Sequence, residues 1–321
     1  MEWFISHQSA LEYWRGASAR DTLARKKLRI TGPPNKTMDT RMLRRKNPWG
    51  LSVPLNILVA NGSARKSTVG LKCHSATLEF PYCSFIRVEP GLVVCSPELC
   101  FMQMASELSF VELVTLAYEL CGSYRLGNKS DPDRGFRDDL PLTSTARLIE
   151  YATKAIGQKG RVKALRALAY TADNSASPME TILTLLLALP CKQGGYGFSL
   201  PRLNYPLDVP RKTKSSGDKP RYYCDLYWPD SKLAIEYDSD AYHAASDRIA
   251  RDAIRRNALS LAGATVITVS RRQIQSTTEI HKIAVLLSKH QNRRLRLPLT
   301  EFTGRRATLR KQLLSQSLLK Y

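Results

Sequence analysis

Asp225, Glu236 and Asp238 fall in a stretch whose spacing can bring three carboxylates onto one face of a β-sheet. Residues 221–228 and 233–238 are both rich in aromatic and aliphatic side chains, and Pro229-Asp230-Ser231-Lys232 between them is a turn, so the segment reads as a β-hairpin. Asp225 is then on the first strand and Glu236 on the second. Alternation projects Glu236 and Asp238 from one face, and a suitable register sets Asp225 beside them. Clustered carboxylates repel one another and are tolerated at neutral pH when a cation sits among them. An all-oxygen set suits Mg²⁺ or Mn²⁺ rather than zinc. The chemistry expected of such a site is hydrolysis of a phosphodiester, the ion polarising the phosphate and generating hydroxide. The other reading is an exposed hairpin with solvated carboxylates, against which Leu226, Ala234 and Ile235 count, because they make both strands half buried.

Glu180 is a further metal-ligand and catalytic candidate. Ser177-Pro178-Met179-Glu180 opens 181–189, which is apolar enough to be a helix buried against a sheet. The same residues also make a capping box, with Ser at the N-cap, Pro at N1 and Glu at N3, and that role needs no metal. His243 follows the acidic pair and can serve as acid or base toward the water or the leaving group, or can simply start a helix. Asp252 and Arg255, three apart on an expected helix over 247–261, form a surface ion pair by default and orient the site in the alternative.

With these residues quoted, the segment 221–270 resembles the PD-(D/E)XK nuclease superfamily, in its branch related to very-short-patch mismatch repair endonucleases. That pattern is filled in order by Asp225, Ile235-Glu236-Tyr237-Asp238, Tyr242-His243, Asp252-Ala253-Ile254-Arg255, Gly263 and Val266-Ile267-Thr268-Val269. It departs twice: the superfamily's usual Lys is Asp238 here, and the Gly after it is Ser239. The resemblance implies a restriction-endonuclease-like mixed sheet flanked by helices. It also implies Asp225, Glu236 and Glu180 as ligands of Mg²⁺ or Mn²⁺, and DNA rather than RNA as substrate, in a bacterial defence or mobile-element setting. The first half is similar to AbiEi-type antitoxin and regulator proteins, on His7-Gln8-Ser9-Ala10-Leu11-Glu12-Tyr13-Trp14 and on residues 94–99. Two rival readings follow. One is a nucleic-acid-binding regulator that keeps a silent nuclease fold; the other is a nuclease subunit active only with protein partners in a larger assembly.

The charge agrees with a polyanionic partner. The chain has 49 Lys plus Arg against 28 Asp plus Glu, for a net charge of +21. Residues 15–46 carry eleven basic side chains against Asp21 and Asp39, and residues 291–321 carry eight against Glu301. Such blocks read as phosphate-binding arms, with Arg293, Arg294 and Arg296 in the second, or as solvated termini. Residues 191–220 are rich in Gly, Pro and basic residues. There Lys192, Arg202, Arg211, Lys212, Lys214 and Lys219, interleaved with Tyr196, Phe198 and Tyr205, can track a phosphate backbone and stack on bases, or form an exposed loop with a short strand over 204–209. Gly194-Gly195-Tyr196-Gly197 lacks the Lys-Ser/Thr of a P-loop.

The elements needed to position these groups give an α/β (α+β) protein of two domains, for which 321 residues at 43% hydrophobic content suffice. Short strands are expected over 54–60, 70–78, 85–88 and 92–95. Helices are expected after Ser6, from Ser96, over 104–121, 144–156 and 161–171, with a loop over 127–140 between them. The domains are then 1–171, with a basic arm at about 15–50; 172–291, the nuclease-like part; and 292–321, a basic tail. No run is long and apolar enough to cross a membrane, and the first residues lack a secretory pattern, so a cytoplasmic location is expected. Seven cysteines without a CxxC pair read as reduced thiols, and Cys73, His74 and Cys83 have the wrong spacing for the common zinc fingers.

Overall fold

The computed structural model describes residues 2–18, 27–33, 50–61, 70–76, 78–127, 135–208, 221–238, 257, 259–297 and 302–315. The chain is a mixed α+β protein of two compact units, Met1–Thr171 and Ala172–Tyr321. Among the described residues no helix is long and apolar enough to cross a membrane.

The first unit is built on a six-stranded mixed sheet. Its strands are β1 (Trp3–Ile5), β2 (Lys27–Leu28), β3 (Leu55–Val59), β4 (Leu71–Ser75), β5 (Phe85–Glu89) and β6 (Leu92–Cys95), in the order β2-β5-β6-β1-β3-β4. β1, β3 and β6 are buried along their whole length, as strands covered on both faces must be. The helix His7–Gly16 packs on β3 and on the helix Pro97–Met104, where the Trp14 Nε1–H donates to the Cys95 carbonyl at 2.9 Å. The helical spacing over 104–121 breaks at residues 105–109. Ser109 and Glu112 form a full capping box, and that box starts the helix at Phe110 rather than at Met104. The far end of Phe110–Cys121 is closed by buried Arg125, whose Nη1 donates to the Glu119, Gly122 and Tyr124 carbonyls. Part of the expected loop over 127–140 is instead β8 (Phe136–Asp138), paired antiparallel with β7 (Tyr124–Leu126). The helices Thr145–Lys154 and Arg161–Leu168 complete the unit.

The second unit carries a four-stranded mixed sheet in the order β12-β11-β10-β9. β9 (Arg202–Asp208), β10 (Arg221–Trp228) and β11 (Leu233–Asp238) are antiparallel neighbours, and β12 (Thr265–Ser270) is parallel to β11. The hairpin turn is one 3₁₀ turn, Pro229–Ser231, closed by Lys232 at φ 50°. The helix Pro178–Ala188 is buried on every side, as an all-round apolar sequence requires, and packs on β10. The helices Arg271–Gln275 and Thr277–His290 follow β12.

From Phe302 to Ser315 the C-terminal basic block is not a free arm. Residues Phe302–Ser315 form a helix that buries Phe302, Leu309 and Leu313 against the 3₁₀ turn Cys191–Gln193 and the helix Pro178–Ala188. The packing is close enough that a Cβ at Gly194 would strike the Arg305 backbone, and one at Gly195 would strike the Leu189 backbone. Arg306 donates through Nη1 to the Tyr196 hydroxyl at 2.6 Å, and Arg310 to the Gln275 carbonyl. Both therefore serve packing, and apolar spacing has overridden the charge of the segment.

Candidate functional site

Two strand positions break the regular pleat of the second sheet. The β9–β10 pairing runs Tyr227↔Arg202 and Leu226↔Leu203, misses one pair, and resumes at Cys224↔Tyr205 in the same register. The missing pair is Asp225 and Asn204, and Asn204 has φ 46°. Residues three apart on a flat strand face opposite sides, yet Cys224 and Tyr227 share one apolar cluster, and Tyr205 stacks on Tyr227 at 5.1 Å between ring centroids. Both strands thus change facing at this level. Asparagine tolerates the left-handed backbone that the change requires, because its short amide makes local hydrogen bonds.

The break gathers polar groups. Asn204 Nδ2 donates to the Asn174 carbonyl at 2.9 Å and to Glu180 Oε2 at 2.8 Å. The Tyr237 backbone N–H donates to Asp225 Oδ2 at 2.7 Å, tying β10 to β11 through a side chain. The β10–β11 register, Leu226↔Ile235, continued by one residue sets Asp225 across from Glu236. Glu236 is buried, and alternation gives it the same facing as Ala234 and Asp238. The hairpin agrees with the expectation from sequence.

Glu180 is held more firmly than a capping residue needs. Ser177 Oγ accepts from the Glu180 backbone N–H at 3.2 Å, the usual half of a capping box. The carboxylate does not return to the Ser177 backbone. Its Oε2 accepts from the Ala176 N–H at 2.9 Å as well as from Asn204, and its Oε1 accepts the Ser177 hydroxyl at 2.9 Å. These bonds favour the charged form. Burial, and after it the Asp225 carboxylate, nevertheless pushes Glu180 up to about 7. Capping and electrostatic coupling to Asp225 therefore coexist in one residue.

The donor set is oxygen only, and buried negative charge accumulates beside Asp225, which fits a hard divalent cation such as Mg²⁺ or Mn²⁺. Among the described residues, no three of these carboxylates each bring an oxygen to within 4.8 Å of the others.

Of the expected nucleic-acid contacts, Arg202, Arg293, Arg294 and Arg296 are exposed. The Arg202 guanidinium lies 5.2 Å from the Tyr205 ring centroid and that of Arg293 lies 4.9 Å from Phe198, so two of the four are braced on aromatic faces. His243, Asp252, Arg255, Arg211, Lys212, Lys214 and Lys219, Ser239, and most of the basic arm at 15–50 lie outside the described residues.

Two features have no local signal in the sequence. Asn204 is visible there only as part of a short strand. His7, His74 and Glu107 come from three elements of the first unit and bring one ligand atom each to within 4.8 Å of one another. Burial, with His74 and Lys72 beside it, pushes His7 down to about 3, so the ring is neutral. β4 alternation turns Cys73 away from His74, which removes the Cys73, His74 and Cys83 grouping.

No protein-family model matches the chain. No solved structure matches it either. It is similar to two uncharacterised proteins of Mycobacterium tuberculosis, MT2308 from strain CDC 1551 / Oshkosh and Rv2248 from strain ATCC 25618 / H37Rv, each 28% identical over 137 residues. The match covers 43% of this chain and 45% of each relative, so the chain spans about half the length of the curated relatives it matches.

Proposed function

We propose that the second unit is a metal-dependent endonuclease of the PD-(D/E)XK kind, acting on DNA rather than RNA, with its site at the break between β9, β10 and β11. The observation that carries this reading is the coupling of buried Glu180 to Asp225, with Asn204 and the Tyr237 N–H fixing one carboxylate each. Carboxylates raised by burial and a neighbouring like charge cluster at functional sites. Asp225, Glu236 and Glu180 would hold Mg²⁺ or Mn²⁺, which when bound supplies positive charge that polarises the phosphate and acidifies water. The protein's own contribution is positioning. Asn204 locks Glu180, the β11 backbone locks Asp225, and both locks belong to sheet and helix rather than to loops. Exposed Arg202, Arg293, Arg294 and Arg296 supply charge for the phosphate backbone, within a chain of net charge +21.

The same groups also support a second reading. The carboxylates do not converge as a threesome, and Glu180 already takes three hydrogen bonds, which suits a nucleic-acid-binding regulator whose carboxylates only brace the fold. Incubation of the purified protein with single- and double-stranded DNA and RNA, in Mg²⁺, in Mn²⁺ and in EDTA, separates the two. The endonuclease reading predicts cleavage of DNA that EDTA abolishes. Binding without cleavage under every condition contradicts it and supports the regulator.

A further inference from the structure

We propose that His7, His74 and Glu107 form a binding site for a divalent transition metal of the zinc class in the first unit, open to an adjoining cavity. The three residues stand far apart in sequence, at the start of the helix His7–Gly16, in β4, and just past the helix Pro97–Met104. The fold nevertheless gathers one nitrogen or oxygen from each within 4.8 Å. Ligand atoms around a tetrahedral zinc at ~2.1 Å stand roughly 3.4 Å apart, so the side chains must shift to close on an ion.

The surroundings are arranged as a metal's outer shell would be. Metal-binding imidazoles ordinarily hand their second ring nitrogen to a fixed partner, which sets tautomer and orientation. Asn56 does this for His74. Its Nδ2 donates to Ser9 Oγ and to the Pro54 carbonyl, both at 3.4 Å, which leaves Oδ1 to accept from His74 Nε2 at 2.9 Å. The proton is thereby placed on Nε2, and Nδ1 is the lone-pair nitrogen. Ser6 Oγ lies 3.1 Å from His7 Nδ1, where either atom can be the donor. The two rings are stacked, 14° apart with centroids at 3.5 Å, so one of them must turn out of the stack before both in-plane lone pairs meet a single ion.

His7 also sits in a conformation that local sequence does not favour. Its φ is 48°, and its backbone N–H is held by Gln103 Oε1 at 2.9 Å. A strained residue of this type persists only when its surroundings over-determine it, which is common at functional sites. Lys72 lies 3.4 Å from Glu107 in an exposed ion pair worth little, so it can swing aside when a cation arrives. The adjoining cavity measures about 540 Å³ and is lined by Lys72, Gln103, Ser106, Glu107, Gln158 and Lys159 among others. It leaves room for water or an anionic co-ligand in the remaining positions of the ion.

The site is independent of the reading of the second unit, uses nitrogen ligands that Mg²⁺ disfavours, and is tested separately. Full-length protein is stripped with EDTA, and Zn²⁺ is titrated by calorimetry in excess Mg²⁺, with Co²⁺ as a spectroscopic probe. One Zn²⁺ per chain is expected, together with the visible absorption of low-coordinate Co²⁺. His74→Ala and Glu107→Gln each weaken binding by about tenfold or more, and Asn56→Ala, which removes only the outer partner, weakens it by roughly 10- to 100-fold. Asp225→Ala leaves zinc affinity unchanged. Circular dichroism of the stripped variants separates ligand loss from misfolding. No Zn²⁺ uptake by the folded wild type overturns the proposal, as does equal uptake by folded His74→Ala and Glu107→Gln.

Discussion

Glu180→Gln isolates the charge at the centre of the proposed site. The amide keeps the partners of the carboxylate: its oxygen accepts from the Ala176 N–H and Asn204 Nδ2, while its NH₂ meets Ser177 Oγ with the direction of that bond reversed. What it removes is the ionisation that burial and Asp225 oppose. A carboxyl raised from 4.5 to about 7 in the folded chain contributes stability that is whole below pH 4.5 and is lost as the pH rises through 7. At about 1.4 kcal/mol per pH unit, the loss is about 3 kcal/mol above pH 7. In EDTA the wild type should weaken between pH 5 and pH 8, while Glu180→Gln should not. At pH 8 the variant should be the more stable, with a urea midpoint higher by roughly 1–3 M, since small domains lose about 1–3 kcal/mol per molar urea. Millimolar Mg²⁺ should restore the wild type at pH 8 and leave the variant unmoved. The assay is urea unfolding followed by far-ultraviolet circular dichroism at both pH values. Equal midpoints for the two proteins at pH 8 would refute the raised titration of Glu180.

The left-handed backbone at Asn204 predicts that Asn204→Ala is more destabilising than Asn204→Gly, by about 1 kcal/mol, because alanine carries the Cβ penalty that glycine avoids; the same unfolding assay reads the order, and a reversed order removes the argument for a strand break. Phe302→Ala should cost about 3–5 kcal/mol if the C-terminal helix belongs to the core of the second unit, measured as a loss of thermal stability, and a change below 1 kcal/mol would mean the helix is dispensable. Replacing Arg293, Arg294 and Arg296 together by Ala should flatten the dependence of DNA affinity on salt by about 0.9 in log-log slope for each phosphate that is no longer neutralised. An unchanged slope would show that those guanidinium groups meet no phosphate.

The hairpin is legible in sequence because strand alternation and a Pro-Asp-Ser-Lys turn are local signals, and β10 and β11 begin and end where the residues indicate. The break at Asn204 and Asp225 is not, because it is a property of two paired strands, visible only once their register is known. The C-terminal helix is obscured by its charge, although Phe302, Leu309 and Leu313 recur at helical spacing within it. Glu180 is legible in position and in its capping role. Its coupling to Asp225 depends on how the helix Pro178–Ala188 meets the sheet. His7, His74 and Glu107 are invisible as a group for the simplest reason: nothing in a one-dimensional spacing brings a helix start, an edge strand and the turn after another helix together.

If the second unit is an endonuclease, Asp225 and Glu236 serve catalysis rather than folding. The rate of Mg²⁺-dependent DNA cleavage by purified Asp225→Ala and Glu236→Ala, set beside the DNA affinity of the same preparations, decides between the two roles. Cleavage should be abolished in both variants while affinity stays close to that of the wild type. Cleavage at the wild-type rate by both would contradict the assignment.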